Sequence, residues 1–404
     1  MSLGVYSEVG TLRTVLVSAP SPAHDRLTPE TCKDFLFDEP MFVDGAACDH
    51  AMLTEELSSR GVEVIELHEA LGEALAVREG RAWLLDRLAP SLHPELRAFL
   101  DGSPAETLAL CISGGLAAAE VPVDLRGAAG AEFVLPPLPN LLYARDPATW
   151  IGDAVSLSTF HYPVRRAETA VIEAIYRFHP RFADSVRFWR GDGTRPGDEA
   201  TLEGGDVLMA GHGVVLVGSG ERTSPDAIRA LASALFDARA AEHVIVAELP
   251  RSRRAMHLDS VFTFADRDCV TAYPPIADAI TAVSLRPGDR ASRGEDGLPQ
   301  VLDERRETSP FVDVVARALG LERLRVVPTG GDAATANREQ WDMGNNLVAL
   351  TPGVVLAYDR NLHTNEALTA AGIEVIEIPG AELSRGRGGP HCLTSPIARD
   401  TVEA

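Results

Sequence analysis

The chain has 404 residues, 45% hydrophobic and 24% charged, an ordinary globular composition with ample material for a large core. A formal net charge of −22 with no basic stripe argues against nucleic acid and anionic membrane as partners. Cys32, Cys48, Cys111, Cys269 and Cys392 are odd in number, widely spaced and without a CxxC pair, so neither a disulfide framework nor a zinc site is expected.

The first residues, Met1 to Glu8, carry no basic region followed by an apolar one. No run approaches the roughly 18 apolar residues of a membrane span. The expectation is a soluble, cytoplasmic protein. Leu12 to Val17 then reads as a strand, Pro20, Pro22 and Pro29 mark loops, and Ala51 to Ser59 reads as a helix stopped by Gly61. Val62 to Leu67 follows as a strand. From His68 to about Gly130 the pattern is helical: Leu71 to Ala76, Arg81 to Leu88, Leu96 to Leu100 and Glu106 to Ile112, punctuated by Pro90, Pro94 and Pro104. This reads as a helical insertion, residues 68–130, within a catalytic domain spanning 1–404.

Beyond it one grammar recurs. Gly213 to Val217 is a strand, Ser224 to Phe236 a helix with Ser224 as its cap, and His243 to Leu249 a strand. Gly353 to Tyr358, a helix over Asn365 to Ala371, and Ile373 to Ile378 repeat it. The phrases Gly-Val-Glu-Val-Ile-Glu-Leu at Gly61 and Gly-Ile-Glu-Val-Ile-Glu-Ile at Gly372 are nearly the same. Weaker copies begin near Trp150, with a helix over Ala167 to Phe178, and near Ser260, with Cys269 to Tyr273 as second strand. About five strand–strand–helix–strand units result, none able to bury its apolar face alone. Pro287 to Arg306, charged and glycine-rich, is expected to be a long surface loop.

The polar residues out of place in the repeat stand at equivalent positions, just before the first strand of a unit. They are Asn140 to Pro147, Leu202 to Asp206, Met256 to Asp259, and Trp341 to Asn346. After the last strand comes Arg385-Gly386-Arg387-Gly388-Gly389-Pro390-His391-Cys392. In a pseudo-symmetric ring such positions point to the axis. Asp146, Glu203, His257, Asp259 and Cys392 are therefore expected to meet. Two carboxylates, Asp146 and Asp259, make a planar cradle for a guanidinium. Cys392 would be the nucleophile, its thiolate favoured by the flanking arginines. His257 would be the general acid and then the general base, oriented by Glu203. On residue type alone His257 is as readily a satisfied core histidine, Asp146 a turn residue before Pro147, and Cys392 a spare thiol in a flexible loop. His391 is set aside as a neighbour of Cys392.

The chain resembles the bacterial arginine deiminases, within a guanidino-group-modifying superfamily that shares a five-bladed β/α propeller. The resemblance runs from Gly4-Val5-Tyr6-Ser7-Glu8 and Phe35-Leu36-Phe37-Asp38, through the helical insertion, to the carboxyl end. It is carried by Asn140-Leu141-Leu142-Tyr143-Ala144-Arg145-Asp146-Pro147, Glu203-Gly204-Gly205-Asp206, Met256-His257-Leu258-Asp259 and Arg387-Gly388-Gly389-Pro390-His391-Cys392. It implies a five-bladed pseudo-symmetric propeller of ββαβ units and hydrolysis of free L-arginine to L-citrulline and ammonia. No metal or organic cofactor is implied, and homo-oligomerisation is left open. It places the nucleophile on Cys392, the acid/base on His257 with Glu203 beside it, and the guanidinium-binding aspartates on Asp146 and Asp259. Arg165 and Arg222 would hold the substrate α-carboxylate. Asn140 and Asp206 would make further contacts, and Arg387 would sit on a loop that moves with substrate. Tyr143-Ala144 and Ser18-Ala19-Pro20-Ser21-Pro22 depart from the family's usual Phe-Thr and His-Arg-Pro-Gly. The alternatives are an amidinotransferase or modified-arginine enzyme of the same fold, or an arginine-binding protein without catalysis.

Overall fold

The computed structural model describes residues 3–129, 132–190, 200–288 and 302–402. One connection recurs through it: an antiparallel hairpin, a helix, and a third strand that returns parallel to the second. In the second unit, Ala148–Ile151 pairs antiparallel with Ala154–Leu157, helix Arg166–Phe178 follows, and Arg187–Arg190 pairs parallel with Ala154–Leu157. The third unit has Val207–Gly211, Val214–Ser219, helix Pro225–Asp237 and His243–Glu248. The fourth has Phe262–Asp266, Cys269–Ala272, helix Phe311–Ala318 and Arg325–Pro328. The fifth has Val348–Thr351, Val354–Tyr358, helix Leu362–Ala370 and Glu374–Ile378. The first unit is assembled from both ends of the chain: Thr394–Arg399 pairs antiparallel with Leu12–Val17, which pairs parallel with Glu63–Glu66 across helix Val43–Ser59. That pairing brings the segment ending in Cys392 back beside the amino-terminal strand.

Local chemistry explains the boundaries. Pro225 opens its helix at a position where no N–H is needed, and the Ser224 hydroxyl accepts from Ala227 N–H. Gly61 and Gly372 both have positive φ, +79° and +85°, so the two matching phrases are the same event, a helix end turning into a third strand. The first helix is longer than its reading, reaching back to Val43.

The insertion is helical as expected: Leu67–Ala76, Arg78–Leu88, Pro94–Gly102 and Ala105–Gly114, with a short ribbon of Leu116–Ala117 against Phe133–Leu135. Gly130 lies outside the described residues. The first two of these helices pack on helix Arg166–Phe178, where Trp83 meets Phe178 at 5.6 Å between ring centres. This explains why that helix is buried continuously from Glu168 to Tyr176 rather than along one stripe.

One expectation fails. Pro287 to Arg306 is not loop throughout. Thr281–Pro287 pairs antiparallel with both His243–Glu248 and Leu302–Arg306, widening the third sheet to five strands. Leu302–Arg306 is an exposed edge strand, and its charges hide the strand signal. Residues 289–301 lie outside the described residues. No helix among the described residues is long and apolar enough to cross a membrane.

Candidate active site

The polar residues singled out in the sequence sit at the starts of hairpins, so the backbone that carries each is held by a sheet. Asp146 lies two residues before strand Ala148–Ile151. Glu203 and Asp206 precede Val207–Gly211, and His257 and Asp259 precede Phe262–Asp266. Cys392 lies in a single helical turn, Pro390–Leu393, that runs into the last strand. Asn140, Asp146, Arg165, Arg222, His257, Arg387 and Cys392 line one enclosed space, with Leu36, Tyr143, Arg253, Met256 and Gly386. Its volume is about 10 Å³, room for about one water.

Glycines set how closely the walls approach. A Cβ on Gly205 would lie 2.6 Å from His257 Nδ1 and 3.1 Å from Asp146 Oδ1. A Cβ on Gly389 would lie 2.6 Å from Asn346 Oδ1. Both positions therefore need glycine for close approach of the neighbouring side chains.

His257 and the acids around it are tightly coupled. His257 Nε2 lies 2.8 Å from Glu203 Oε2, and His257 Nδ1 lies 3.8 Å from Asp146 Oδ1. Burial alone would lower the imidazole's pKa, but Asp146, the hydrogen bond to Glu203 and the charge of Asp206 push it up to about 9. Glu203 goes the other way. Burial disfavours its charge, yet Arg222 and His257 hold it down at about 2. Asp206 Oδ1 accepts from Leu258 N–H at 2.9 Å, and burial pushes its carboxyl up to about 7.

Asp259 Oδ2 lies 3.4 Å from Cys392 Sγ and 2.8 Å from His391 Nδ1. Asp146 Oδ1 and Asp259 Oδ1 are buried and without hydrogen-bond partners among the described residues. Two unsatisfied carboxylate oxygens beside a thiol form an acceptor set suited to a planar donor. The thiol itself is pushed well above its ordinary pKa, by burial first and then by Asp259 and Asp146. The flanking arginines do not counter this, contrary to the expectation. Arg385 is paired with Glu39 at 2.8 Å and Glu382 at 3.2 Å, and Arg387 stacks on Trp341 at 3.6 Å.

Arg165 and Arg222 stand in the site but are engaged with its acids. Arg165 Nη1 donates to Asp146 Oδ2 at 2.7 Å and Nη2 to Glu168 Oε2 at 2.8 Å. Arg222 Nη1 donates to Glu203 Oε2 at 3.1 Å. Asn140 Nδ2 donates to Phe35 O at 2.8 Å. Arg387 takes φ +67°, with its loop held at both ends: Tyr143 Oη donates to Leu383 O at 3.0 Å, and Tyr358 Oη to Gly388 O at 2.9 Å.

Four residues of the site were given no role in the sequence reading. Asn346 Oδ1 accepts from Gly389 N–H (3.0 Å) and Cys392 N–H (3.1 Å), while Nδ2 donates to Asp259 O at 3.0 Å. It stands at the repeat-equivalent position of the fifth unit, which was a signal available for it. Glu168 is buried against Arg165. His391 and Glu8 close a buried chain behind Asp259, with His391 Nε2 at 3.1 Å from Glu8 Oε2. Glu8 ends the Gly4 to Glu8 stretch of the resemblance, but nothing in that stretch gives it a role.

A family model described as arginine deiminase matches residues 33–100 and 117–399. The arginine deiminases of Rhodococcus opacus (strain B4) and Rhodococcus jostii (strain RHA1) are each 42% identical to the chain over 416 residues. Both alignments cover 99% of this chain and 98% of the relative. Among solved structures, the chain is similar to SxtG, an amidinotransferase from Microseira wollei in the saxitoxin biosynthetic pathway. The TM-score is 0.59 at 14% identity, covering 100% of this chain and 99% of that one. It is also similar to DDAH from Pseudomonas aeruginosa, solved as a mutant complexed with citrulline, with a TM-score of 0.54 at 14% identity over 96% of this chain and 100% of that one. At such identity these two establish a shared fold and nothing further. The sequence relatives and the family model, which both run across the site residues described above, establish more: the chain belongs to the arginine deiminase family.

Proposed function

We propose that the chain hydrolyses free L-arginine to L-citrulline and ammonia through a covalent intermediate on Cys392. The observation that carries this reading is the meeting of a thiol, two half-satisfied carboxylates and a charged histidine around one buried space. Kinship with the Rhodococcus arginine deiminases supports the substrate.

The substrate guanidinium would bind between Asp146 and Asp259, using their unpaired oxygens. Its positive charge, arriving beside a thiol held up by these same carboxylates, would favour loss of the thiol proton to solvent, where it ends on the released ammonia as ammonium. Sγ then attacks the guanidino carbon and forms the C–S bond. His257, charged at neutral pH, donates a proton to the departing nitrogen, and the C–N bond breaks to release ammonia. The neutral imidazole next takes a proton from water as water adds to the amidino carbon. The C–S bond breaks and the adduct's hydroxyl proton passes to sulfur, restoring the Cys392 thiol and releasing citrulline. Glu203 holds the imidazole in place, and no step requires a metal or an organic cofactor.

Arg165 and Arg222 would turn from Asp146 and Glu203 to the substrate α-carboxylate, each such contact contributing about 1.5–3 kcal/mol. Asn140 and Asp206 would make the remaining substrate contacts. The exchange of partners frees Asp146 as the guanidinium arrives. A space for one water cannot hold arginine, so the loop bearing Arg387 would open first and close over the substrate. The five ββαβ units suit a closed five-bladed propeller whose blades each bring one hairpin start to the axis, with residues 68–130 as a separate helical insertion. The acidic, water-compatible chain fits a cytoplasmic enzyme acting on a small molecule.

The test is product identification from L-arginine, with agmatine and an added amine acceptor in parallel. Equal citrulline and ammonia from arginine, with little from agmatine, is the expected result. Transfer of the amidino group to the amine, or turnover of agmatine alone, would overturn the reading.

A further inference from the structure

Glu8 comes from the amino-terminal segment, and its side chain is buried, with 5% exposure. Its Oε1 accepts from Met209 N–H at 3.3 Å and lies 3.5 Å from Arg145 Nη1. Its Oε2 lies 3.1 Å from His391 Nε2. Across the ring, His391 Nδ1 lies 2.8 Å from Asp259 Oδ2, the same oxygen that Cys392 Sγ approaches at 3.4 Å. Each nitrogen of His391 therefore faces a carboxylate. A neutral imidazole has one N–H and one lone pair. In that form one of the two carboxylates would meet a lone pair at hydrogen-bonding distance, in an interior where such a contact is not screened. Against the effect of burial, Arg145 beside Glu8 holds that carboxyl well below its ordinary range, and Asp259 is likewise lowered. With both acids ionised, both contacts are attractive only with a proton on each nitrogen.

The surroundings fit that charge. Glu8 and Asp259 are the acids on the ring. Arg145 is committed to Glu8 and to Thr394 O, and Arg399 Nη1 to the carbonyls of Gly10 and Ala349. Backbone contacts fix the ring's position, since His391 N–H donates to Asn346 O at 3.2 Å.

We infer that His391 is a resident imidazolium clamped between Glu8 and Asp259, and that it is a positioning residue for the reaction. Its charge offsets that of Asp259, against which the Cys392 thiol must ionise. The cation beside the nucleophile, expected from the flanking arginines, is supplied by the adjacent histidine and maintained by a carboxylate 383 positions before that histidine. Glu8 and His391 touch neither the sulfur's attack path nor the substrate; they act through Asp259.

The charge state rests on geometry alone, whereas its effect on turnover rests on the proposed reaction, and the two can be tested separately. Nitrogen NMR of the full chain with ¹⁵N-labelled histidine, assigned with His391→Gln, reads the ring directly. Protonated nitrogens at both His391 positions near neutral pH are expected, with one lost in Glu8→Gln, whose amide can donate to Nε2. A bare ring nitrogen on His391 in the unsubstituted protein would overturn the assignment. For the thiol, iodoacetamide labelling of the Cys392 peptide is followed against pH by mass spectrometry. Glu8→Gln should move the alkylation midpoint up by about one pH unit, equivalent to a tenfold change in ionisation. With L-arginine, kcat of Glu8→Gln should fall about tenfold with KM changed less than about twofold. An unmoved alkylation midpoint would refute the positioning role, even if arginine were not the substrate.

Discussion

His257 Nε2 lies 2.8 Å from Glu203 Oε2, with both side chains fully enclosed. This contact, with Asp146 on the other ring nitrogen, keeps the imidazole charged up to about pH 9. If His257 protonates the departing ammonia, the contribution of its charge to kcat/KM should hold through neutral pH and be lost as pH rises past about 9. In Glu203→Gln the carboxylate's charge is gone, so the imidazole loses its proton earlier. The alkaline limb of the kcat/KM profile should move to lower pH by about one unit or more. A limb that stays in place would remove Glu203 from this role.

Arg222 now lies on Glu203, but the proposed substrate contact gives it a second task. Arg222→Ala should raise the arginine KM by about 10- to 150-fold, the equivalent of about 1.5–3 kcal/mol. Agmatine, which lacks the α-carboxylate, should show no comparable loss. Steady-state kinetics with both substrates checks this, and an unchanged arginine KM would end the argument for specificity.

Gly205 permits the close approach of two site residues. In Gly205→Ala the new methyl would press on His257 Nδ1 at 2.6 Å and Asp146 Oδ1 at 3.1 Å. Overpacking of this kind costs about 1–3 kcal/mol, and a 1 Å displacement of a reacting group costs about 100-fold in rate. The expected outcome is a large drop in kcat with only a modest drop in Tm. Full activity would mean that this backbone is less fixed than the geometry indicates.

The site was more legible in the sequence than its electrostatics. Asp146, Glu203, His257, Asp259 and Cys392 could be brought together because hairpin starts at equivalent places in a repeat share one position in space. Pairing partners follow no such rule. That Arg165 would lie on Asp146, or that Arg385 would turn outward to Glu39, depends on side-chain torsions that no periodicity records. Glu8 was illegible for a related reason: its partner His391 is near only because the last strand pairs with the first. In the fold, helix ends marked by Gly61 and Gly372 were plain. Strand Leu302–Arg306 was not, because an edge strand with charges on both faces lacks the alternation that identifies a strand.

His50 offers a test of stability apart from chemistry. Its Nε2 is buried without a hydrogen-bond partner among the described residues, and burial lowers its pKa to about 4. The unfolded chain takes up this proton near pH 6.5, the folded chain only near 4. The stability tied to neutral His50 is therefore complete above about 6.5 and is lost as pH falls toward 4. Between pH 7 and 4.5 this amounts to about 2 kcal/mol. Chemical denaturation at both pH values should show His50→Leu losing less stability than the unsubstituted protein by that amount. Equal losses would show that His50 is hydrated or paired in solution.

The covalent bond to Cys392 is the centre of this account, and acid-quenched mass spectrometry during turnover tests it most directly. Unsubstituted protein mixed with L-arginine should carry arginine less ammonia on the Cys392 peptide, whereas His257→Gly, which lacks both the acid for the departing ammonia and the base for water, should carry little adduct and release little citrulline. Cys392→Ala should show no adduct and no citrulline. Citrulline formed by Cys392→Ala at an undiminished rate, or an adduct on a different residue, would contradict the account.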